Sequence, residues 1–217
     1  MPRKSFTNKI NILKEDIKNM GEKVTQRIED TLIAIRDSDI NKAREVSEND
    51  NEIDNMEQEI EQFCLTLLAL EQPMAKDLRM IAGCLKIITD IERVADQCED
   101  ICDILISEEI ETDQNDIEYI CRILKTAQDM FVKVMDVFVS KDVDEAVKVC
   151  QLDDKIDEIF SNIIMELAEQ IGKKKIDVMK ALNIMFIAKY VERMGDHITN
   201  IAEWIIYIKT GEHPILN

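Results

Sequence analysis

The stretch IITDIERVADQCEDICDIL, residues 87–105, decides the fold class of this chain. Its apolar residues recur at spacings of three and four, and at about 100° per residue they fall on one side of a helix. The opposite side is acidic and carries Glu92, Asp96, Asp100 and Asp103. The segment therefore predicts a long helix whose buried stripe consists of Ile87, Ile91, Val94, Cys98, Ile101 and Leu105.

The same pattern returns about 100 residues later, as expected of a repeat. VERMGD at residues 191–196 matches IERVAD at residues 91–96, and it lies in a segment with the same apolar stripe and a similar acidic side. Upstream, the segment DINKA that begins at Asp39 matches DVDEA, which begins at Asp142, an offset of 103 residues. We interpret the chain as a tandem repeat of one helical unit. The same offset aligns two further acidic segments, DNEID at residues 50–54 and DDKID at residues 153–157.

Turn residues and capping residues place the helix boundaries. Asp39 and Asp142 have the side chain of an N-cap, Pro73 suits the first turn of a helix, and Gly172 and Gly211 suit helix ends. With only 5 Gly and 3 Pro in 217 residues, a turn-rich β-sandwich or barrel is disfavoured. The pattern predicts six long helices, at about residues 5–36, 39–71, 73–107, 116–139, 142–171 and 174–210.

The polar stretch ETDQN, residues 111–115, is the clearest linker between the two repeats. We therefore expect an all-α chain, a tandem repeat of two antiparallel three-helix bundles packed side by side. The first bundle is predicted at residues 1–110 and the second at residues 111–217.

The charge balance narrows the classes of partner. The chain has 27 Lys and Arg against 45 Asp and Glu, a formal net charge of −18. Such a surface repels nucleic acid and anionic lipid, and it favours cations and basic protein surfaces. No apolar run approaches the roughly 18 residues of a membrane-spanning helix, and the first residues lack the apolar core of a secretory signal. We expect a cytoplasmic protein without direct membrane insertion.

The six cysteines are predicted to be reduced, and most of them lie among apolar neighbours, as small core hydrophobes do. They form no Cys-x-x-Cys pair, and Cys84, Cys98 and Cys102 share a buried stripe, which favours packing over binding of a soft metal. The sequence also lacks a glycine-rich phosphate loop, an activated nucleophile motif and the Glu-x-x-His of a di-iron enzyme. We therefore expect no enzymatic activity.

The repeated acids have two interpretations. In the first interpretation they are solvated acidic faces, because like charges four residues apart cost only about a few tenths of a kcal/mol per pair. The other is a shared function, because two halves with few identities keep the same spacing of acids. Clustered carboxylates without cysteine or histidine are hard oxygen donors that suit Mg²⁺, Ca²⁺, Mn²⁺ or oxygen-ligated iron. His197, next to Asp196, is an alternative nitrogen donor.

At these residues the chain resembles the PhoU family, the accessory regulators of bacterial and archaeal phosphate transport. The resemblance rests on QPMAKDLR at residues 72–79, IERVAD at residues 91–96 and YVERMGD at residues 190–196, and it extends over nearly the whole chain. It implies a homodimer that restrains phosphate-starvation signalling. The implied partners are the ATPase of the phosphate ABC transporter and the membrane sensor histidine kinase, which bring the protein to the inner face of the membrane.

The resemblance also implies metal binding through the carboxylate motifs, with iron, zinc, magnesium or manganese as the ion. A carboxylate-bridged metal oxidase or a metal-storage bundle is the alternative function, and a structural scaffold without metal is a third. Asn200 stands where the first half has Asp100, which predicts a weaker second site. The implied metal ligands are Asp50, Asp54, Glu92 and Asp96 in the first half, with Asp100 as a further candidate, and Asp153, Asp157, Glu192 and Asp196 in the second.

Overall fold

A computed structural model describes residues 2–49, 51–108, 114–212 and 214 of the chain. Within these ranges the secondary structure is helical and contains no strand, which confirms the predicted all-α class. The described helices are α1 (Pro2–Asp37), α2 (Ile40–Glu48), α3 (Asn51–Glu71), α4 (Ala75–Glu108), α5 (Gln114–Ser140), α6 (Val143–Gly172) and α7 (Val178–Thr210).

The helices form the two predicted three-helix bundles. The first contains α1, the consecutive pair α2 and α3, and α4, whereas the second contains α5, α6 and α7. The third helices of the two bundles, α4 and α7, pack against each other over their length. They run antiparallel, because Gly83 near the start of α4 contacts Ile208 near the end of α7, and Asp90 pairs with His197 farther along. One continuous apolar core joins both bundles.

The predicted second helix, at residues 39–71, is wrong as a single helix. α2 ends at Glu48 with Asn49 as its C-cap, and α3 begins at Asn51. The Asn49 side chain donates to the Glu45 carbonyl at 2.7 Å, and the buried Arg27 Nη1 donates to the Asn49 carbonyl at 3.3 Å. These hydrogen bonds satisfy carbonyls at the end of α2, so the interruption is stabilised from the neighbouring α1. The matching helix of the second half, α6, is continuous.

The predicted caps are present. One carboxylate oxygen of Asp39 accepts hydrogen bonds from the backbone of Asn41 and Lys42, and Asp142 caps α6 in the same way. Gly211 ends α7 in the left-handed conformation, with φ of +87°, where a side chain is disfavoured.

Other predicted boundaries differ from the structure. α4 begins at Ala75, two residues beyond Pro73. Gly172 lies inside α6, and Lys173 is the C-cap. α7 begins at Val178 because Asp177 caps it, a signal that the assignment to residue 174 missed. α1 begins three residues before its predicted start, and the remaining ends agree within about two residues, the usual uncertainty of helix termini.

Both predicted apolar stripes are buried, from Ile87 to Leu105 in α4 and from Ile187 to Ile205 in α7. Cys84, Cys98 and Cys102 are buried thiols, as predicted. Glu203 of α7 is buried, with only 6% of it exposed, because α7 is enclosed by α4, α5 and α6. None of the described helices has a stretch long and apolar enough to cross a membrane.

Candidate metal centre

Three of the predicted ligands meet on the surface between α3 and α4. Asp54 comes from the first turn of α3, and Glu92 and Asp96 lie one turn apart on α4. Each offers one carboxylate oxygen, and these oxygens lie within 4.8 Å of one another. All three side chains are half-buried. The helix packing thus converts acids from two separate sequence motifs into one cluster, called the acidic triad below.

The acidic triad is electrostatically unfavourable without a cation. Burial, together with the charges of Asp96 and Asp54, raises the pKa of Glu92 to about 7. Its Oε2 atom is buried and accepts no hydrogen bond from any described residue. A buried carboxylate oxygen without a hydrogen bond is costly, and a bound cation would stabilise its charge.

Arg93 partly neutralises this cluster. Its Nη1 atom donates to Asp96 Oδ2 at 2.6 Å, and its Nε atom lies 3.4 Å from Glu92 Oε2. About half of the Arg93 side chain is exposed. Because an exposed guanidinium contributes little binding free energy, a metal ion can displace it from the carboxylates at low cost.

Glu57 is a fourth acid near the triad that the sequence reasoning missed. It lies one turn beyond Asp54 on α3 and accepts a hydrogen bond from Thr89 of α4 at 3.4 Å. Burial raises its pKa, as do the charges of Glu61 and Asp54. Its spacing of three from Asp54 is the signal that would have revealed it.

The second half also gathers acids, but less closely. Asp153 of α6 is 8% exposed, and burial, together with the charges of Asp157 and Asp196, raises its pKa to about 7. Burial and the charge of Glu192 raise the pKa values of Asp157 and Asp196. Nevertheless, within the described ranges these four acids do not bring three oxygens as close together as the acidic triad does.

Two substitutions between the repeats change the surroundings of these acids. Lys189 forms an ion pair with Glu192 in the second half, whereas the aligned residue of the first half is Thr89. Phe160 occupies the position aligned with Glu57, and the Lys189 ammonium lies 5.7 Å from the centre of its ring. At these two positions the second half has exchanged an acid for an aromatic ring and a threonine for a lysine that pairs with Glu192.

The other predicted site residues lie elsewhere. Asp100 does not join the triad but faces α7, where the charge of Arg193 opposes the rise in pKa that burial causes. His197 Nδ1 lies 2.9 Å from Asp90 Oδ1 and is thus engaged with α4, as is Asn200, which donates to the same oxygen at 3.2 Å. Asp50 lies outside the described residues.

The donors of the acidic triad fit a hard cation. Three carboxylate oxygens suit Mg²⁺ or Mn²⁺ and are accepted by iron, and Zn²⁺ also binds carboxylates. No thiol belongs to the triad, because Cys84, Cys98 and Cys102 point into the core. The observation that favours a cation is the buried Glu92 oxygen without a hydrogen bond.

Comparison with known proteins points to one family over both repeats. A sequence model of the PhoU domain matches residues 17–105 and 120–205. A phosphate-specific transport system accessory protein PhoU homolog of Clostridium acetobutylicum is 33% identical over the full length of both chains. The PhoU homolog of Pseudomonas aeruginosa is 32% identical over 91% of this chain and 84% of its own.

Solved structures agree with this comparison. A crystal structure of PhoU from Pseudomonas aeruginosa has a TM-score of 0.90 at 30% identity, covering 95% of this chain and all of the other. The phosphate transport system regulatory protein PhoU from Streptococcus pneumoniae has a TM-score of 0.89 at 24% identity, covering 97% and 99% of the two chains. The latter likeness concerns the fold alone.

Proposed function

Because this chain belongs to the PhoU family, we propose that it is a non-enzymatic regulatory accessory protein of a phosphate transport system. Relatives named phosphate-specific transport system accessory proteins match both repeats, and the one from Clostridium acetobutylicum matches over the full length of the chain. No catalytic residue is part of this proposal. The activity consists of binding partner proteins.

The proposed mode of action is negative regulation by an adaptor. In this mode the protein is cytoplasmic, contacts the transporter ATPase and the sensor histidine kinase at the inner face of the membrane, and acts as a homodimer. Two repeats, at residues 1–110 and 111–217, offer two related surfaces for two partners. The formal charge of −18 supports basic protein surfaces as partners and disfavours nucleic acid.

The metal part of the proposal rests on the acidic triad. Asp54, Glu92 and Asp96 would hold one divalent or trivalent cation, joined by Asp50 of the same repeat motif. A cation there would supply positive charge that cross-links α3 to α4 and neutralises the carboxylates. Arg93 would turn to solvent. The acids of the second half, with Lys189 among them, form the weaker site.

Elemental analysis of protein purified without a tag or chelator tests the metal part. We expect stoichiometric metal in wild type and its loss in the variant Asp54→Asn/Glu92→Gln/Asp96→Asn. The matched control is Glu15→Gln/Glu22→Gln/Asp129→Asn, which removes the same number of exposed acids outside the triad. Equal metal content in the two variants would overturn the site.

Co-purification tests the adaptor. The tagged protein is expected to retain the transporter ATPase and the sensor kinase from membranes of its own cells, and chelation is expected to weaken this retention. Loss of the gene should leave phosphate-starvation genes active at high phosphate. If a folded triad variant retains both partners as well as wild type does, the metal is not required for docking. If wild type retains neither, the adaptor proposal fails.

A further inference from the structure

Five basic side chains gather at one end of the molecule, away from the acidic triad. They are called the basic end here and comprise Lys14 of α1, Lys76 and Arg79 of α4, Lys141 between α5 and α6, and Lys209 of α7. Lys76 precedes Glu92 by roughly 24 Å along α4, at about 1.5 Å per residue. The two charged clusters are therefore separate.

The ends of several helices bring these cations together. Lys141 has a positive φ of 57°, in the tight connection before the cap Asp142, and its Nζ atom lies 3.8 Å from Met80 Sδ of α4. Arg79, the residue before Met80, packs on the C-cap of α7, with its Cζ atom 3.5 Å from the position of a Cβ on Gly211. Lys209 lies two residues before that glycine.

Acids next to the basic end in the sequence, such as Asp77 and Glu212, form no ion pair with its cations among the described residues. Across the described part of the chain, none of the five cations forms an ion pair with a carboxylate. Two nearby acids are otherwise engaged, since Glu71 pairs with Lys9, and Asp142 accepts backbone hydrogen bonds. The Arg79 Nε atom is buried and donates no hydrogen bond to a described residue. In a chain with an excess of 18 negative charges, such segregation of cations is unexpected.

The arrangement is strained electrostatically. Burial, together with the like charges of Lys14, Lys209 and Lys76, lowers the pKa of Lys141 to about 8. A bound anion would remove this repulsion and accept the unused Arg79 donor.

We propose that the basic end is a binding site for a small multivalent oxyanion of the phosphate class. Lys141 and Arg79 are half-buried at helix ends, and an ammonium and a guanidinium group are donors that suit a tetrahedral oxyanion. Inorganic phosphate and the terminal phosphoryl group of a nucleotide share this chemistry. The site requires no metal and is independent of the adaptor proposal.

Equilibrium dialysis of labelled inorganic phosphate against metal-free protein tests the site. Wild type is expected to retain about one phosphate per chain, and Lys141→Gln, Arg79→Gln and Lys209→Gln are each expected to weaken retention about tenfold. The matched control is Lys133→Gln, which removes an exposed lysine of α5 outside the cluster and should leave retention unchanged. Competition by ADP stronger than by phosphate would identify a nucleotide as the source of the phosphoryl group.

Three outcomes would overturn the proposal. Equal weakening in Lys133→Gln would show non-specific attraction. Retention that needs added metal and disappears in the triad variant would place phosphate on the metal centre. Retention of a polyglutamate peptide without retention of phosphate or ADP would identify an acidic protein segment instead. If Lys141→Gln does not fold, the exposed Lys76→Gln and Lys209→Gln decide the question.

Discussion

Asp153 of α6 packs directly on Gly195 of α7, and its Oδ1 atom lies less than 3.0 Å from the position where a Cβ of residue 195 would stand. The absence of a side chain at Gly195 makes room for a buried carboxylate and for the close approach of the two helices. The aligned residue of the first half is Ala95. This contact leads to two predictions on stability.

Gly195→Ala is expected to lower the free energy of unfolding by about 1–2 kcal/mol, since overpacking against Asp153 outweighs the gain in helix propensity. Urea unfolding followed by circular dichroism measures the change. Gly172→Ala is the matched control, because a Cβ there meets no atom within 4 Å, and it should stabilise. The pair Gly195→Ala/Asp153→Ala should recover part of the loss. If Gly195→Ala stabilised the protein, the contact with Asp153 would have to relax without cost, which would contradict the prediction.

The buried Asp153 should make metal-free protein less stable as pH rises. Its pKa is about 7 when folded against an ordinary value of 3.8, so the folded state binds the proton more tightly. The contribution of this group is therefore complete below the ordinary value and is lost progressively as pH rises towards 7. Between pH 5 and pH 8 the loss is about 2–3 kcal/mol. Denaturant melts of wild type and Asp153→Asn at both pH values measure it.

In Asp153→Asn that pH-dependent loss should shrink, because the amide does not titrate. Glu92, with a pKa of about 7, keeps a smaller loss of the same sign in the variant. The interpretation would be wrong if both proteins lost the same stability between the two pH values.

The two halves should differ in metal affinity. We expect Glu92→Gln/Asp96→Asn to weaken Mn²⁺ binding about 10–100-fold, with a smaller effect from Glu192→Gln/Asp196→Asn. Isothermal titration of metal-free protein measures both. Lys189→Thr, which reproduces Thr89 of the first half, should strengthen the weaker site by removing its internal cation. Unchanged affinity in Lys189→Thr would mean that the missing acid at Phe160, rather than the lysine, limits this site.

Asp90 is expected to be a structural link between the bundles. It accepts from Asn200 at 3.2 Å and lies 2.9 Å from His197 Nδ1, so Asp90→Ala leaves two polar groups of α7 without their partner. The expected cost is about 1–3 kcal/mol. A double-mutant cycle with His197→Ala should give a coupling energy above that of the exposed pair Lys125 and Asp129, which serves as the control. Equal couplings would contradict a specific role.

The two aligned N-cap residues, Asp39 and Asp142, should contribute similar amounts to the free energy of unfolding. Asp39→Ala and Asp142→Ala each remove an acceptor for two backbone amides at a helix start, at a cost of about 1 kcal/mol. Asp→Asn at either position should retain most of the stability. Thermal melts of the four variants test this, and a large difference between the two alanine variants would show that the repeats are not equivalent at their caps.

Much of the fold was predictable because its signals are local. The stripe from Ile87 to Leu105 has the helical period, and Asp39 and Asp142 carry their capping chemistry within a few residues of sequence. The break at Asn49 was not predictable in this way. Its carbonyl is satisfied by Arg27 of another helix, 22 residues away, and no local pattern announces such a partner.

In the candidate site, too, the local features were predictable from the sequence and the contacts between helices were not. The spacing of Glu92 and Asp96 on one helix face follows from the helical period, and the repeat pointed to Asp54 on a second helix. The meeting of their oxygens, the nearby Glu57, and the engagement of His197 with Asp90 depend on how the helices pack. The helical spacing of Asp100 also places it on the acidic face of α4. In the packed structure, however, its charged neighbour is Arg193 of α7 and not the acidic triad.

The sequence by itself determined the all-α class, the tandem repeat, the buried stripes and the set of acids, because periodicity and capping act within one or two helical turns. Only the tertiary structure decided which acids form a cluster, that Lys189 neutralises the second set, and that five cations collect at one end of the molecule. Electrostatic interactions depend on distances between side chains of different helices, and those distances exist only after the helices have packed.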